Sequence, residues 1–331
     1  MSGPLDVGSI RSGVAIDVAG LATRVVADDL DRAEAVASLF RDADLTEADP
    51  ECEIRLTEAA PELPARPPDV TLERIAIWWS DDAMYLDVAG LRARADADGV
   101  WAGGDVPSIG ACFRNACLQG LSRVFAVRGR FLTHGAVVVL RGGPVLVMGG
   151  SGVGKSTLTF AARRSGRGVV SDDAVVLDAP ADGGPVRATG MPRPIAVPAD
   201  VVEGLAVAGQ AVPEDPRQRI EVDAGTRVDG PVTLAGLVIA AGADPRGAGI
   251  DRLTGPDVLH AILQTMQSFS DPAHRNAAFG IAGRLAQVPA WTMRRGNDPA
   301  AALAEVTEQL DRLDDLLDER LDEHRRTGGS G

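Results

Sequence analysis

The chain is 331 residues long, enough for a sizeable core and for two domains or one domain with a large elaboration. It is 45% apolar and 24% charged, an ordinary globular balance, yet only 4% aromatic, so the core is expected to be built from Val, Ala and Leu. The formal net charge of −14 provides no basic face and argues against nucleic acid or an anionic membrane as the main partner. Cys52, Cys112 and Cys117 have no metal-ligand spacing, and their odd number points to a reducing cytosol. No apolar run approaches the ~18 residues of a membrane span. Met1-Ser2-Gly3-Pro4 lacks the basic and apolar regions of a secretory signal, so a soluble, cytoplasmic protein is expected.

In chain order, Val14 to Val18 alternates as a strand does, Asp31 to Phe40 reads as a short helix, and Cys52 to Leu56 as a second strand. Pro61 to Pro68 is a proline-rich loop. Ile75 to Trp79, Met84 to Val88 and Leu91 to Ala95 read as a meander. Residues 1–106 are therefore expected to form a smaller, mostly β domain, a scaffold or docking module without a catalytic set. Residues 107–127 read as a connecting helix with Cys112, Cys117, Leu121, Val124 and Phe125 on one stripe. The apolar strand Phe131 to Leu140 and the turn Arg141-Gly142-Gly143 lead into a further strand, Pro144 to Met148, as a hairpin. Beyond it, strands at 169–171, 174–177, 232–240 and 288–293 alternate with helices around 156–164, 256–266 and 299–325. The expected class is α/β, with a mixed sheet flanked by helices over residues 128–326. Residues 198–229 read as a mobile loop region over the site, and 327–331 as a flexible tail.

One segment carries the chemistry. Gly149-Gly150-Ser151-Gly152-Val153-Gly154-Lys155-Ser156 has the spacing of a phosphate-binding P-loop, and Thr157 follows it. Lys155 is the only lysine, every other basic side chain being arginine, so this position calls for a compact ammonium rather than a guanidinium fork. Backbone N–H groups of the loop cradle the α- and β-phosphates, Lys155 reaches the β- and γ-phosphates, and the Ser156 hydroxyl ligates Mg²⁺. ATP and Mg²⁺ are the implied ligands.

A helix of about ten residues, roughly 15 Å long, then leads through Ser165-Gly166-Arg167-Gly168 to Val169-Val170-Ser171-Asp172-Asp173. Such a crossover makes the two strands parallel, so the loop and the two carboxylates leave the same sheet edge. One carboxylate is expected to hold Mg²⁺, and the other to accept the proton of an attacking hydroxyl. A hairpin turning near Gly142 sets His134 opposite Gly150, within two residues, close enough to meet a phosphate. Arg193, fixed between two prolines, and Arg217 and Arg219 in the loop region are candidates to close over the phosphates.

His134-Gly135-Ala136, the Gly-rich loop, Ser165-Gly166-Arg167 and Val170-Ser171-Asp172-Asp173, in that order and spacing, resemble the bacterial HPr kinase/phosphorylase superfamily, whose core is shared with phosphoenolpyruvate carboxykinases. The resemblance covers about residues 128 to 180. It implies His134 and Lys155 on the transferred phosphate, Ser156 on the metal, Asp173 as the base and Asp172 beside it. Where that family carries a second, acidic signature, this chain has Ala188 to Pro194, so the closer likeness is to HPr-kinase-related proteins of small biosynthetic clusters. One group of those phosphorylates the C-terminal serine of lasso-type precursor peptides.

The expectation is a kinase moving the γ-phosphate of ATP to a serine of a peptide or small protein. Rival readings are a kinase of a small hydroxylated metabolite, an NTP-driven switch or assembly factor, and a nucleotide-binding pseudoenzyme. The acceptor, the choice between ATP and GTP, and a homo-oligomeric state are left open.

Overall fold

The computed structural model describes residues 5–192, 195–202, 209–211, 218–222, 228–266, 272–298 and 301–328 and is a mixed α/β protein. Contacts divide it into two units, Met1–Leu132 with Ser268–Ala278, and Thr133–Gln267 with Phe279–Gly331.

The first unit is built on one eight-stranded sheet. Helix α1 (Val7–Ser12) starts at Asp6, whose carboxylate accepts from the Ser9 N–H. Strands β1 (Val14–Asp17) and β2 (Ala22–Ala27) pair antiparallel, and α2 (Leu30–Leu39) is capped by the Asp29 side chain on the Arg32 N–H. Then follow β3 (Cys52–Thr57), β4 (Val70–Leu72), β5 (Ile75–Trp79), β6 (Met84–Val88), β7 (Leu91–Ala95) and β8 (Gly99–Gly103), in the spatial order β1-β2-β3-β8-β7-β6-β5-β4. The meander expected over 75–95 is the β5–β6–β7 run, with β4 added at its edge.

Strand β8 escapes the sequence reading because its glycines look like turn residues. Those glycines are required by packing. A Cβ on Gly99 would fall 1.9 Å from the Glu53 carbonyl, and one on Gly103 would fall 2.0 Å from the Ala59 carbonyl. Helix α3 (Ile109–Ala126) packs on β6, β7 and β8 and buries Cys112, Phe113, Cys117, Leu121, Val124 and Phe125. It is thus part of the first unit, and the chain passes to the second between Leu132 and Thr133.

The second unit opens with the hairpin β9 (Phe131–Leu140) and β10 (Gly143–Met148), whose rungs run from Gly143↔Leu140 to Met148↔Gly135. Helix α4 (Lys155–Arg164) follows the glycine loop, and β11 (Gly168–Ser171) returns antiparallel to β9. Strands β10 and β11 therefore run in the same direction, as the crossover requires, with β9 between them. Next come β12 (Ala174–Asp178), β13 (Arg187–Gly190), β14 (Ile195–Pro198), α5 (Ala199–Val202), β15 (Gly209–Ala211), β16 (Arg219–Val222), β17 (Val232–Thr233), β18 (Gly236–Ala243), β19 (Gly249–Leu253), α6 (Pro256–Thr265), α7 (Pro272–Leu285), β20 (Ala290–Arg295) and α8 (Ala302–Gly328). The main sheet has the order β17-β13-β12-β9-β10-β18-β20-β19, with β11 also on β9. Its parallel core is β10–β18–β20.

The region expected as a loop over 198–229 contains, in its described residues, α5 and the strands β15 and β16, which complete an antiparallel sheet with β14 just before it. Strands of three or four residues are too short to show a period, which is why the sequence reading missed them. Ile195, Val197 and Val222 give this sheet a buried face against Phe160 of α4, and Val202 of α5 joins them.

On the other side of α4, Leu158, Ala161 and Ala162 join Val145, Val147, Trp291, Val306, Leu310 and Leu313 in the core. A buried ion pair pins α8 there. The Asp314 carboxylate, 2% exposed as a residue, accepts from Arg167 Nη2 at 2.7 Å and from the Arg141 backbone N–H at 2.6 Å. Asp314→Ala removes the buried counter-charge of Arg167, which keeps Asp311, and leaves the Arg141 backbone donor without its carboxylate. It should lower the stability of this unit by about 1–3 kcal/mol in urea unfolding.

Candidate active site

Strand β10 ends at Met148 and α4 begins at Lys155, so Gly149 to Gly154 must turn the chain from sheet to helix within six residues. Gly149 has φ 151° and lies against β18, where a Cβ would fall 2.6 Å from the Ala240 carbonyl. Gly154 caps α4 in the left-handed region at φ 107°. The remaining loop residues, Gly150, Ser151, Gly152 and Val153, run between these two fixed points.

Lys155 is 5% exposed, and its Nζ donates to the Gly149 and Gly150 carbonyls, each at 2.8 Å. The ammonium thus closes the loop on itself. A three-donor point charge fits that space, and its carbonyl partners are ones it can exchange for anionic oxygens. Ser156 and Thr157 follow in the first helical turn, half-buried, and the Thr159 hydroxyl donates to the Lys155 carbonyl at 2.9 Å.

The two aspartates after β11 lie in unlike environments. Asp172 is 4% exposed; its Oδ2 accepts from the Ala196 N–H of β14 at 3.3 Å, and its Oδ1 has no hydrogen-bond partner among the described residues. Burial, and then the neighbouring Asp173 charge, push its carboxyl up to about 6. The Thr159 hydroxyl, the Ala196 N–H and the Ser156 hydroxyl pull it part of the way back. Asp173 turns instead to His134. His134 Nδ1 lies 2.9 Å from the Asp173 carbonyl and 3.1 Å from its Oδ1. Both are acceptors, so Nδ1 carries a hydrogen. The Gly135 N–H also donates to the Asp173 carbonyl, at 3.2 Å. This fastens the end of β9 to the aspartate turn.

The structure therefore gathers Lys155, Ser156, Asp172, Asp173 and His134 at one end of the sheet. The hairpin register extends to place His134 opposite Gly149, one residue from the expected Gly150. Arg219 is in β16 on the Pro198 rung, while the rung that reaches Asp172 is Ala196↔Glu221, so the small sheet meets the site through a backbone N–H. Arg193 and Arg217 lie outside the described residues. Thr159 and Ala196 were missed by the sequence reading. Thr159 had a signal, being one turn from Ser156 on the same helical face, whereas the Ala196 amide had none.

The donors present suit Mg²⁺, a hard cation that takes oxygen ligands. The Ser156 hydroxyl and the uncommitted, buried Asp172 Oδ1 are the groups that would hold it.

No family model matches the chain, and no curated protein matches it. Among solved structures, the HPr(Ser) kinase/phosphatase from Coxiella burnetii is similar at 15% identity and a TM-score of 0.30, over 60% of this chain and 98% of that one. The likeness is distant. No helix among the described residues is long and apolar enough to cross a membrane.

Asp172 makes stability depend on pH. The unfolded carboxyl titrates near 3.8 and the folded one near 6, so in that window the folded state holds a proton that the unfolded state has lost. Without metal or nucleotide, stability should fall as pH rises through the window and stay lower above it. Asp172→Asn should remove that dependence and be more stable than wild type at neutral pH, by on the order of 3 kcal/mol. Urea unfolding between pH 4 and 7.5 measures it, and a less stable variant at neutral pH would contradict the assignment.

Proposed function

We propose that this chain is an ATP- and Mg²⁺-dependent kinase that transfers the γ-phosphate to a hydroxyl, with a serine of a peptide or small protein as the acceptor. The observation that carries the reading is the division of labour between the paired carboxylates. A nucleotide hydrolase needs one acidic residue for its metal. Here one carboxylate is buried against α4 beside Ser156, and a second is held by a histidine at the same sheet end. The motif set that resembles HPr-kinase-related proteins supports the same chemistry.

In this reading the loop amides and Lys155 bind the triphosphate, with Nζ leaving the Gly149 and Gly150 carbonyls for phosphate oxygens. Ser156 and Asp172 would hold Mg²⁺, which when bound neutralises charge on the β- and γ-phosphates. The His134 Nδ1–H on Asp173 Oδ1 orients that carboxylate, which would accept the proton of the acceptor hydroxyl. As the acceptor oxygen bonds to the γ-phosphorus, its proton passes to Asp173. The bond from the γ-phosphorus to the bridging oxygen breaks, and ADP leaves. Because the transition state is loose, positioning and charge neutralisation account for most of the rate.

A second reading has one observation behind it. A histidine held by an aspartate through Nδ1, as His134 is by Asp173, is an arrangement that can also activate water, as an NTP-driven switch requires. The two readings separate with γ-labelled ATP, Mg²⁺ and size-fractionated host lysate. Label should enter peptide or protein with wild type. Asp173→Asn should lower transfer by about 10²–10⁴-fold while leaving ATP affinity nearly unchanged. Label appearing only in small molecules would indicate a metabolite kinase, and free phosphate alone, insensitive to Asp173→Asn, would defeat the kinase reading. Lys155→Arg should also abolish turnover, since the planar fork is larger than the buried space the ammonium fills.

A further inference from the structure

We propose that Arg295 binds the nucleotide on the flank of the glycine loop opposite Asp172, at the α- and β-phosphates. The inference rests on the nucleotide-site reading above, and adds a residue that no motif singles out. Strand β20 is the second neighbour of β10, through β18, and all three run parallel. The rungs Met148↔Ile239 and Ile239↔Thr292 set the level at which β10 ends. Arg295 lies three residues past Thr292, or about 10 Å further along the strand, which is the level of the glycine loop.

Packing shows the approach directly. Arg295 Cδ lies 3.8 Å from where a Cβ on Gly154 would be, and Gly154 is the cap of α4. The guanidinium beyond Cδ thus begins beside the backbone that turns into Lys155.

Its charge has no partner among the described residues. Arg295 Nε is shielded from solvent and has no hydrogen-bond partner among the described residues, and its guanidinium makes no ion pair there. Arg294, on the other face of the same strand, is paired with both Asp244 and Asp251. Glu305, near in space to Gly296, is taken by the Gly296 N–H at 2.8 Å. A guanidinium does not shed its proton, so a half-buried one without a counter-charge is poised for an anion.

Position decides which part of the nucleotide it meets. Asp173, assigned above to the acceptor at the γ-phosphate, and Asp172 and Ser156, which would hold a metal, are on the β9–β11 side of β10. Arg295 is on the β18–β20 side. The ligand therefore runs from the metal flank across Gly154 toward Arg295, with its nucleoside end away from Asp172. The two donor edges of a guanidinium fork match a pair of phosphate oxygens.

Calorimetric titration of ATP and of ADP, each with Mg²⁺, into wild type, Arg295→Met and Arg295→Lys tests this. Arg295→Met keeps the apolar stem and removes the charge. It should weaken ATP and ADP by a similar factor, about 10–100-fold, with the ligand-free melting temperature unchanged. Arg295→Lys should recover part of the loss and guards against a misfolded methionine variant. Unchanged affinity for both nucleotides would overturn the proposal, and so would a loss confined to ATP, which would place the guanidinium at the γ-phosphate. Wild type binding neither nucleotide would overturn the site reading along with it; wild type binding normally beside an unaffected Arg295→Met would remove only Arg295.

Discussion

A buried carboxylate with an unsatisfied oxygen, set against the first turn of the helix that carries a buried ammonium, is the constraint around which the second unit is arranged. Asp172 Oδ1 is out of water and without a partner among the described residues, while Lys155 spends its donors on two carbonyls of its own loop. Both conditions cost free energy in the ligand-free protein. They persist because the surrounding structure over-determines them. Phe160 and the β14-β16-β15 sheet pack on one face of α4, the main-sheet core on the other, and the Arg167–Asp314 pair ties α8 to the turn that follows α4. A metal and an anionic ligand would offset the desolvation of both groups together.

The use of arginine and lysine in this chain follows the same logic. Arginines make the structural ion pairs, as Arg167 does with Asp311 and Asp314, Arg141 with Asp315, Arg66 with Asp69, and Arg246 with Asp244. In each the fork meets a carboxylate and remains there. The single lysine donates to two carbonyls of its own loop, hydrogen bonds that a phosphate can displace.

Much of this was legible in the residues because the determinants are local. The Gly149–Ser156 spacing specifies a strand, a tight loop and a helix, and the ten-residue helix after it specifies where Asp172 and Asp173 emerge. The β9–β10 register follows from a two-residue turn and one long apolar strand, so His134 is located to within one rung. What the sequence concealed is non-local. Strand β9 lies between β10 and β11, an insertion no local pattern reveals. The β14-β16-β15 sheet is made of strands too short to show alternation, and it meets Asp172 through the Ala196 amide, which any residue but proline would supply. Arg295 reaches the loop only because two parallel pairings bring β20 level with it, 140 residues after Lys155. In the first unit, β8 was hidden because Gly99, which permits its close approach to Glu53 of β3, and Gly103, which lies against Ala59, resemble turn residues.

A crystal structure of the protein with Mg²⁺ and a non-hydrolysable ATP analogue tests the central claim most directly. The account predicts Lys155 Nζ moved from the Gly149 and Gly150 carbonyls onto phosphate oxygens, Asp172 and Ser156 at the metal, and Asp173 facing the γ-phosphorus with His134 behind it. A nucleotide bound elsewhere, or bound at the loop with Lys155 still on its own carbonyls and Asp173 turned from the γ-phosphate, would contradict it.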